Sequence, residues 1–156
     1  MEFRDLLDEF CAAVKAGDGK RFAQVFTEDA VYHDVFYGPH AGREAIGQML
    51  EGLFHRDARN FDWQMIEPLS DETRGYARWV FSFDGAMVQT EGKRIVMEGV
   101  GLFELRAGLI SRYEDFAKTG EVLLRLGFPP ENLYRVLSGK VADADKRDEV
   151  RAHLDR

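Results

Sequence analysis

The spacing of apolar residues changes once along this chain, near residue 60, and this change restricts the fold more than any other feature. Before it, apolar residues recur every three or four positions in residues 3–16 and 43–56, as on one face of a helix. After it, four segments alternate with a period of two and are rich in β-branched and aromatic residues, which predicts strands over 61–69, 74–84, 94–105 and 109–116. The short connection at 106–108 makes the last two strands an antiparallel hairpin.

Two further elements lie between the helical stretches. Asp18 can cap a short second helix that carries Phe22 and Phe26, and "VYHDVF" (31–36) reads as a strand. We interpret "YGPHAG" (37–42) as a turn. The order is helix, helix, strand, helix and four strands, which predicts an α+β fold. We expect a curved, mainly antiparallel sheet that the N-terminal helices close into a cone with an apolar pocket, where a ligand would bind.

The C-terminal third returns to helical patterns. Thr119 is a plausible cap for one helix that Gly127 ends, and a second short helix with Pro130 in its first turn ends before Gly139. The last stretch is highly charged and is predicted to be a surface helix or a frayed tail. We therefore divide the chain into a cone domain, 1–139, and a charged C-terminal segment, 140–156.

Composition excludes several classes of function. The chain has 156 residues, of which 45% are hydrophobic and 31% charged, as in a soluble globular protein of one domain. Its net charge of −7 argues against nucleic acid or an anionic membrane as the main partner. The single cysteine, Cys11, lies on the apolar side of the first predicted helix, so we expect it in the core and expect no disulfide. The acidic N-terminus lacks the pattern of a signal peptide. No apolar run approaches the roughly 20 residues of a membrane span, so we expect a cytoplasmic protein.

Asp34 is the most unusual residue of the first predicted strand. Alternation places Tyr32, Asp34 and Phe36 on one face and His33 on the other. An ionised carboxylate between two aromatic side chains is poorly solvated and needs a partner or a chemical role. The structural alternative is that Asp34 caps the turn at Tyr37.

A second acid has the same surroundings. Tyr113 and Asp115 share a face of the last predicted strand, so two acids, each two residues from a tyrosine, could converge in an aromatic cavity. Burial would raise the pKa of such carboxyls and suit them for proton transfer. Alternatively, Asp115 bonds the amides of a following helix, and Arg78 and Glu98 are solvated or form a cross-strand ion pair.

Other candidate motifs point to no further site. "GVG" (99–101) lies inside a predicted strand, where close packing or a bulge explains it better than a phosphate loop does. No histidine spacing indicates a metal site, and no serine or cysteine nucleophile motif is present.

The segments "FTEDAVYHDVFYGPHAGREAIGQMLEGLF" (26–54) and "GVGLFELRAGLISRYEDF" (99–116) carry a family resemblance. With the two helices before them they resemble the nuclear-transport-factor-2-like cone fold over roughly residues 3–127. Within that fold the chain looks most like the SnoaL-like polyketide cyclases, the limonene-epoxide hydrolases and the ketosteroid isomerases. The resemblance is specific for the fold and much less so for the reaction, because this scaffold hosts isomerases, cyclases, hydrolases, dehydratases and binding domains.

The resemblance implies roles for single residues. Asp34 matches the general base of the isomerases, whereas Phe10 and Gly101 occupy the positions of their oxyanion hole, so steroid isomerase activity is not expected. Against the epoxide hydrolases, Tyr32 and Asp34 match the residues that hold water. In the same comparison Asp115 matches one catalytic aspartate and Arg78 the bridging arginine, but Val80 replaces the second aspartate. Asp115 also lies near the acid–base position of the cyclases.

From these residues we predict cofactor-free acid–base chemistry on a small hydrophobic cyclic or polyketide-like molecule. The predicted catalytic residues are Asp34, Asp115, Tyr32 and Arg78, and the predicted ligand-binding residues are Phe10, Phe36, Tyr113, Met49 and Phe54. The alternative is a non-catalytic ligand-binding or dimerisation domain with the same pocket. We also expect a homodimer through the sheet, formed by Trp79, Phe81 and Phe83 or by their neighbours on the opposite face.

Overall fold

The computed structural model describes residues 1–156. The strands are β1 (Phe26–Asp34), β2 (Gly38–Ala41), β3 (Ala58–Ser70), β4 (Arg74–Gly85), β5 (Arg94–Arg106) and β6 (Leu109–Ala117). The helices are α1 (Phe3–Ala16), α2 (Gly19–Ala23), α3 (Arg43–Met49), α4 (His55–Asp57), α5 (Thr119–Leu126), α6 (Pro130–Ala144) and α7 (Asp148–Leu154), and a π-helical segment (Leu50–Phe54) joins α3 to α4. None of the helices has the length and hydropathy that a membrane span requires.

All six strands form one open sheet in the order β2-β1-β6-β5-β4-β3. Only β1 and β6 run parallel, and every other neighbouring pair is antiparallel. The predicted α+β class and the β5–β6 hairpin are confirmed, and the four long strands begin and end within a few residues of their predicted positions. The predicted turn at 37–42 is wrong in part, because β2 occupies Gly38–Ala41 and pairs with β1 at the sheet edge.

The N-terminal helices cover one face of the sheet. Leu6, Leu7, Phe10 and Val14 form the buried stripe of α1, which packs against β3, and Gly17 ends the helix in the left-handed conformation. Asp18 caps α2 as predicted, since its carboxylate accepts the amide N–H of Arg21 at 2.9 Å. Cys11 is partly buried at the edge of this core, and burial raises the pKa of its thiol to about 12, so it remains protonated at neutral pH.

The helix predicted over 43–56 is interrupted by the π-helical turn at Leu50–Phe54. Such a turn inserts an extra residue and rotates the side chains that follow it. Here it is followed by the single turn of α4, and Phe54 and Asp57 both reach the interior cavity.

The C-terminal helices differ from the predicted arrangement. Gly139 does not end a helix, because α6 continues to Ala144 and so runs through the predicted domain boundary at 139. Thr119 is the first residue of α5 and its hydroxyl bonds the carbonyl of Ala117, so it does not cap the helix amides. Gly127 ends α5 in the left-handed conformation, as predicted.

Candidate functional site

An apolar cavity of about 230 Å³ lies between the sheet and the helices that cover it. Of the 17 residues that line it, 14 are hydrophobic, so a ligand would contact mainly carbon atoms. The aromatic wall consists of Phe54, Phe61, Trp63, Trp79, Phe81 and Phe83. The polar lining residues are three carboxylic acids, Asp34, Asp57 and Asp115.

The parallel pairing of β1 with β6 brings two of these acids together. Tyr32 lies opposite Tyr113 in the register of the two strands, so the positions two residues further along place Asp34 beside Asp115. Parallel strands end at the same edge of a sheet, which puts both acids at the end of the cavity wall. The structure therefore brings together the two acids and the two tyrosines that the sequence singled out.

Asp34 is the last residue of β1, and its side chain has two functions. One carboxylate oxygen accepts the amide N–H groups of Phe36 and Tyr37 at 2.8 and 2.9 Å, so Asp34 caps the turn that follows the strand. The same side chain lines the cavity, and its burial raises the pKa although these two hydrogen bonds oppose the rise. The capping role and the position at the cavity, which were alternatives in the sequence, both hold.

Asp115 is held by its neighbour on the same strand. The Tyr113 hydroxyl donates a hydrogen bond to the Asp115 carboxyl group. Burial raises the pKa of Asp115 well above its usual range, and the nearby Asp34 raises it further. Because two neighbouring carboxyls in one apolar site cannot both ionise cheaply, the pair retains a proton at higher pH than an exposed aspartate does.

The two tyrosines lie behind the acids and do not line the cavity, so the structure does not place Tyr113 at the wall where it was predicted to bind a ligand. The Tyr32 and Tyr113 ring centroids are 4.7 Å apart, and both side chains are fully buried. The Tyr32 hydroxyl has no hydrogen-bond partner in the protein, although its ring is enclosed. Burial raises the pKa of both phenols, so both remain protonated hydrogen-bond donors.

The other predicted site residues divide into two groups. Phe36 and Phe54 line the cavity, whereas Phe10 and Met49 are buried in the packed core and do not reach the cavity wall. Arg78 lies on the opposite face of the sheet, where its side chain is 53% exposed and pairs with Glu67 at 3.6 Å. The reason is alternation along β4: Trp79 and Phe81 point into the cavity, so Arg78 between Ala77 and Trp79 points out.

Sequence reasoning missed a third acid and its partner. The Tyr37 hydroxyl donates to Asp57 at 2.7 Å, and Arg56 holds the pKa of Asp57 below its usual range. Asp57 ends the short turn of α4 and has no recognisable motif around it, so only the tertiary fold brings it to the cavity. His40 lies on β2 opposite Tyr32 and does not line the cavity, and its Nε2 is buried without a partner in the protein.

The indoles of Trp63 and Trp79 are unusual among the lining residues. Both N–H groups are buried and have no acceptor in the protein. A Cβ at Gly99 would lie 2.5 Å from the Trp79 ring, so the glycine lets this indole approach β5 closely. A Cβ at Gly101 would meet the rings of Phe103 and Tyr113 at 2.9 Å. The close-packing interpretation of "GVG" is confirmed.

The C-terminal part of the chain closes one side of the cavity. Leu126 at the end of α5 and Phe128 just after it line the wall. No three histidine, cysteine, aspartate or glutamate side chains are grouped with the geometry of a metal site.

Comparisons with solved structures agree with this architecture. A hypothetical protein from Catenulispora acidiphila with a ketosteroid isomerase-like fold, solved in complex with trimethylamine, superposes with a TM-score of 0.71 at 16% identity, over 81% of this chain and 95% of the other. An LEH-like epoxide hydrolase from Mycobacterium tuberculosis superposes with a TM-score of 0.64 at 16% identity, over 89% of this chain and 94% of the other. A candidate polyketide cyclase from Xanthomonas campestris superposes with a TM-score of 0.64 at 18% identity, over 79% of this chain and 95% of the other.

At these identities the structural matches show a shared fold alone. No curated protein sequence matches the chain. The model of the SnoaL-like domain family, however, matches residues 7–113, which is more than half of the chain and includes α1 from Leu7 onward, the whole of β1 to β5, and β6 as far as Tyr113. Together with the cone-type sheet and its covering helices, this match shows that the protein belongs to the SnoaL-like domain family.

Proposed function

We propose that the protein is a cofactor-free acid–base enzyme that acts on a small hydrophobic cyclic or polyketide-like molecule. The observation that carries this proposal is the pair of neighbouring acids, Asp34 and Asp115, on the wall of a cavity that is otherwise almost entirely apolar. Burial in such a site tunes a carboxyl toward proton transfer at neutral pH.

The surroundings of the two acids assign them different roles. Asp34 accepts two backbone N–H groups, which stabilise its ionised form, so it is the base. Asp115 has its pKa raised further and is the acid that keeps the shared proton. Asp34 takes a proton from a substrate carbon or an attacking water, while Asp115 gives its proton to a substrate oxygen. After the step Asp34 is protonated and Asp115 ionised, and a proton passing between them restores the site.

The size of the cavity limits the substrate. A volume of about 230 Å³ is below the roughly 300–1,000 Å³ of drug-sized sites. It exceeds the roughly 150 Å³ that accommodates benzene in an engineered protein cavity. The substrate that fits is therefore a molecule of one or two rings.

A binding domain without turnover is the second candidate, and one observation favours it. The positions that match the oxyanion hole of the isomerases, Phe10 and Gly101, carry no hydrogen-bond donor side chain and lie in tightly packed surroundings. A pocket that binds an apolar ligand needs no such donor.

The ionisation of the acid pair distinguishes the two candidates. Carbon-13 NMR titration of the side-chain carboxyls, with Asp34→Asn and Asp115→Asn for assignment, measures both groups directly. Acid–base function predicts that at least one carboxyl titrates well above the free value of about 3.9. If both titrate near that value, the acid–base proposal fails and the binding domain is preferred.

Folding stability provides a second measure of the same proton. A carboxyl whose pKa is raised in the folded state holds its proton where the unfolded chain has released it, so stability falls as pH rises from about 3.9 to the folded pKa. Carboxyls with a lowered pKa, such as Glu9 and Asp57, make stability rise over the same range, so we expect this fall in the difference between the wild type and Asp115→Asn, each measured by urea unfolding. Asp115→Asn, which cannot ionise, should lose the fall and gain stability relative to the wild type at pH 7 but not at pH 3. An unchanged pH profile would contradict the raised pKa.

We also infer that a second copy of the chain covers the outer face of the sheet. Trp79, Phe81 and Phe83 line the cavity, and apolar residues of the opposite face remain exposed: Tyr76 is 48%, Val100 40% and Phe116 52% accessible. Val100 and Phe116 are direct partners in the β5–β6 pairing, so the patch is continuous. Light scattering at micromolar concentration should give the mass of a dimer, and Val100→Asp should give a monomer. A monomeric wild type would contradict this inference.

A further inference from the structure

Helix α6 lies outside residues 7–113 that match the family model, yet one of its side chains bonds the segment that directly follows Asp34. Lys140 Nζ donates a hydrogen bond to the carbonyl oxygen of Val35 at 2.6 Å, across 105 positions of sequence. Val35 directly follows Asp34. An element outside the matched part of the fold therefore contacts the segment that presents the predicted base.

This bond adds a third hydrogen bond to the turn after β1. The Asp34 carboxylate accepts the amide N–H groups of Phe36 and Tyr37. The Lys140 ammonium donates to the carbonyl of Val35, which lies between β1 and these two residues. The turn is thus fixed by a side chain of its own and by one from α6. Because Phe36 and Tyr37 line the cavity, the same contacts also position part of its wall.

A groove of about 690 Å³ separates α6 from the ends of β1 and β6. Asp34 and Asp115 border this groove as well as the cavity, and Lys140 lies on its opposite side. The acid pair, together with Val35 and Phe36, therefore forms the partition between an apolar chamber and a polar, more open one. Lys140 faces this partition from the polar side.

The other charged groups around the partition have partners of their own. Asp143 bonds Lys146 at 2.8 Å, and Glu114 bonds Arg112 at 3.3 Å. The remaining titratable groups nearby are His33, His40 and Arg147. Burial lowers the pKa of Lys140 itself, and the charges of Asp34 and Asp115 oppose that effect, so the ammonium and the carboxylates are coupled.

We propose that Lys140 is a positioning residue of the acid site. Its ammonium group anchors the turn beside Asp34 and places a positive charge in the groove that both acids border, which favours the ionised form of one carboxyl. This inference rests on the acid–base site proposed above, and it names an element outside the family match as part of that site.

The test compares three variants by carbon-13 titration of the Asp34 and Asp115 carboxyls, without substrate. Lys140→Met should raise the titration midpoint of the pair by about half a pH unit or more, less than the roughly 1–3 units of a directly paired charge. Lys140→Arg, which keeps the charge, should stay near the wild type. Lys146→Met is the matched control, because it removes the same charge from an exposed site that bonds only Asp143.

Equal midpoints in Lys140→Met and Lys146→Met would overturn the role of Lys140. The wild-type midpoint tests the acid–base function separately, since Lys140 can shift the carboxyls whether or not their pKa values are high. If Lys140→Met does not fold, the reciprocal measurement decides. The Lys140 side chain, followed by its Cε resonance, should then titrate at lower pH in Asp34→Asn than in the wild type, and an unchanged midpoint overturns the proposal.

Discussion

The two ends of the cone are built from the same kinds of side chain but packed differently. At the solid end, where no cavity is left, the ring centroids of Phe22, Trp63 and Tyr113 lie 4.9, 5.1 and 5.4 Å from that of Phe10. At the open end, the ring centroids of Phe61 and Phe83 both lie 5.6 Å from that of Phe81, yet these side chains border the cavity. Aromatic content alone therefore does not make a pocket; the pocket exists where the covering helices and the sheet do not pack directly against each other.

Trp63 lies at the boundary between the two ends. Its ring contacts Phe10 in the solid end and Phe81, at 4.5 Å, in the open end. The solid end supplies stability, because fully buried aromatic side chains contribute most to folding. The open end forgoes part of that stability to keep space for a ligand, with the acid pair at its edge.

Truncation of a core ring should have the largest effect. Phe10→Ala removes a fully buried ring from the solid end, and the expected loss of unfolding free energy is about 3–5 kcal/mol. Phe83→Ala, the matched change in the open end, should cost roughly half as much, because its side chain is partly exposed and already borders empty space. Urea denaturation measures both. Equal losses would contradict the division between the two ends.

Gly99→Ala should have an intermediate effect. The new Cβ would lie 2.5 Å from the Trp79 ring and 2.6 Å from the Phe116 carbonyl oxygen, so the indole and the β6 backbone must both move, at a cost of roughly 1–3 kcal/mol. Tryptophan fluorescence should change as well. Gly139→Ala is the control, because it lies in the middle of α6 with open space around it and should stabilise the protein by about 1 kcal/mol. If Gly99→Ala proves as harmless, Trp79 is not fixed in the observed position.

Tyr37→Phe tests the polar contact between the β1–β2 turn and α4. The variant removes the hydrogen bond to Asp57, and we expect a loss of about 1 kcal/mol in unfolding free energy. Tyr134→Phe is the matched control, since its side chain is 77% exposed and its change should be close to zero. A loss no larger than in the control would show that the Tyr37–Asp57 bond does not stabilise this end of the cone.

Arg78→Ala should have the smallest effect. Its ion pair with Glu67 is exposed, and such pairs contribute at most about 1 kcal/mol and weaken with salt. The carboxyl titrations of Asp34 and Asp115 should not change, because Arg78 lies on the other face of the sheet. A shift of those titrations would return Arg78 to the site that the family resemblance implied.

Much of the fold was accessible from local pattern. The switch from a helical to a strand repeat identified the four long strands and the helices before them, because each element buries one face and the spacing of apolar residues records that face. Alternation also identified the orientation of Asp34 and Asp115 relative to their tyrosines. It equally placed Arg78 opposite Trp79, so the pattern in β4 itself contradicted the role that the family resemblance implied for this residue.

What local pattern could not supply was pairing between distant segments. The parallel contact of β1 with β6 places Asp34 beside Asp115, and the path of α6 places Lys140 over the turn at Val35. Neither leaves a signal in spacing, because both join segments that are more than 70 positions apart. Likewise, whether Phe10 or Phe54 borders the cavity depends on where the helices cross the sheet. The sequence by itself determined which face of each helix and strand is apolar, since that depends only on each side chain and its neighbours along the chain. Only the tertiary packing decided where two apolar faces do not meet and so leave a cavity.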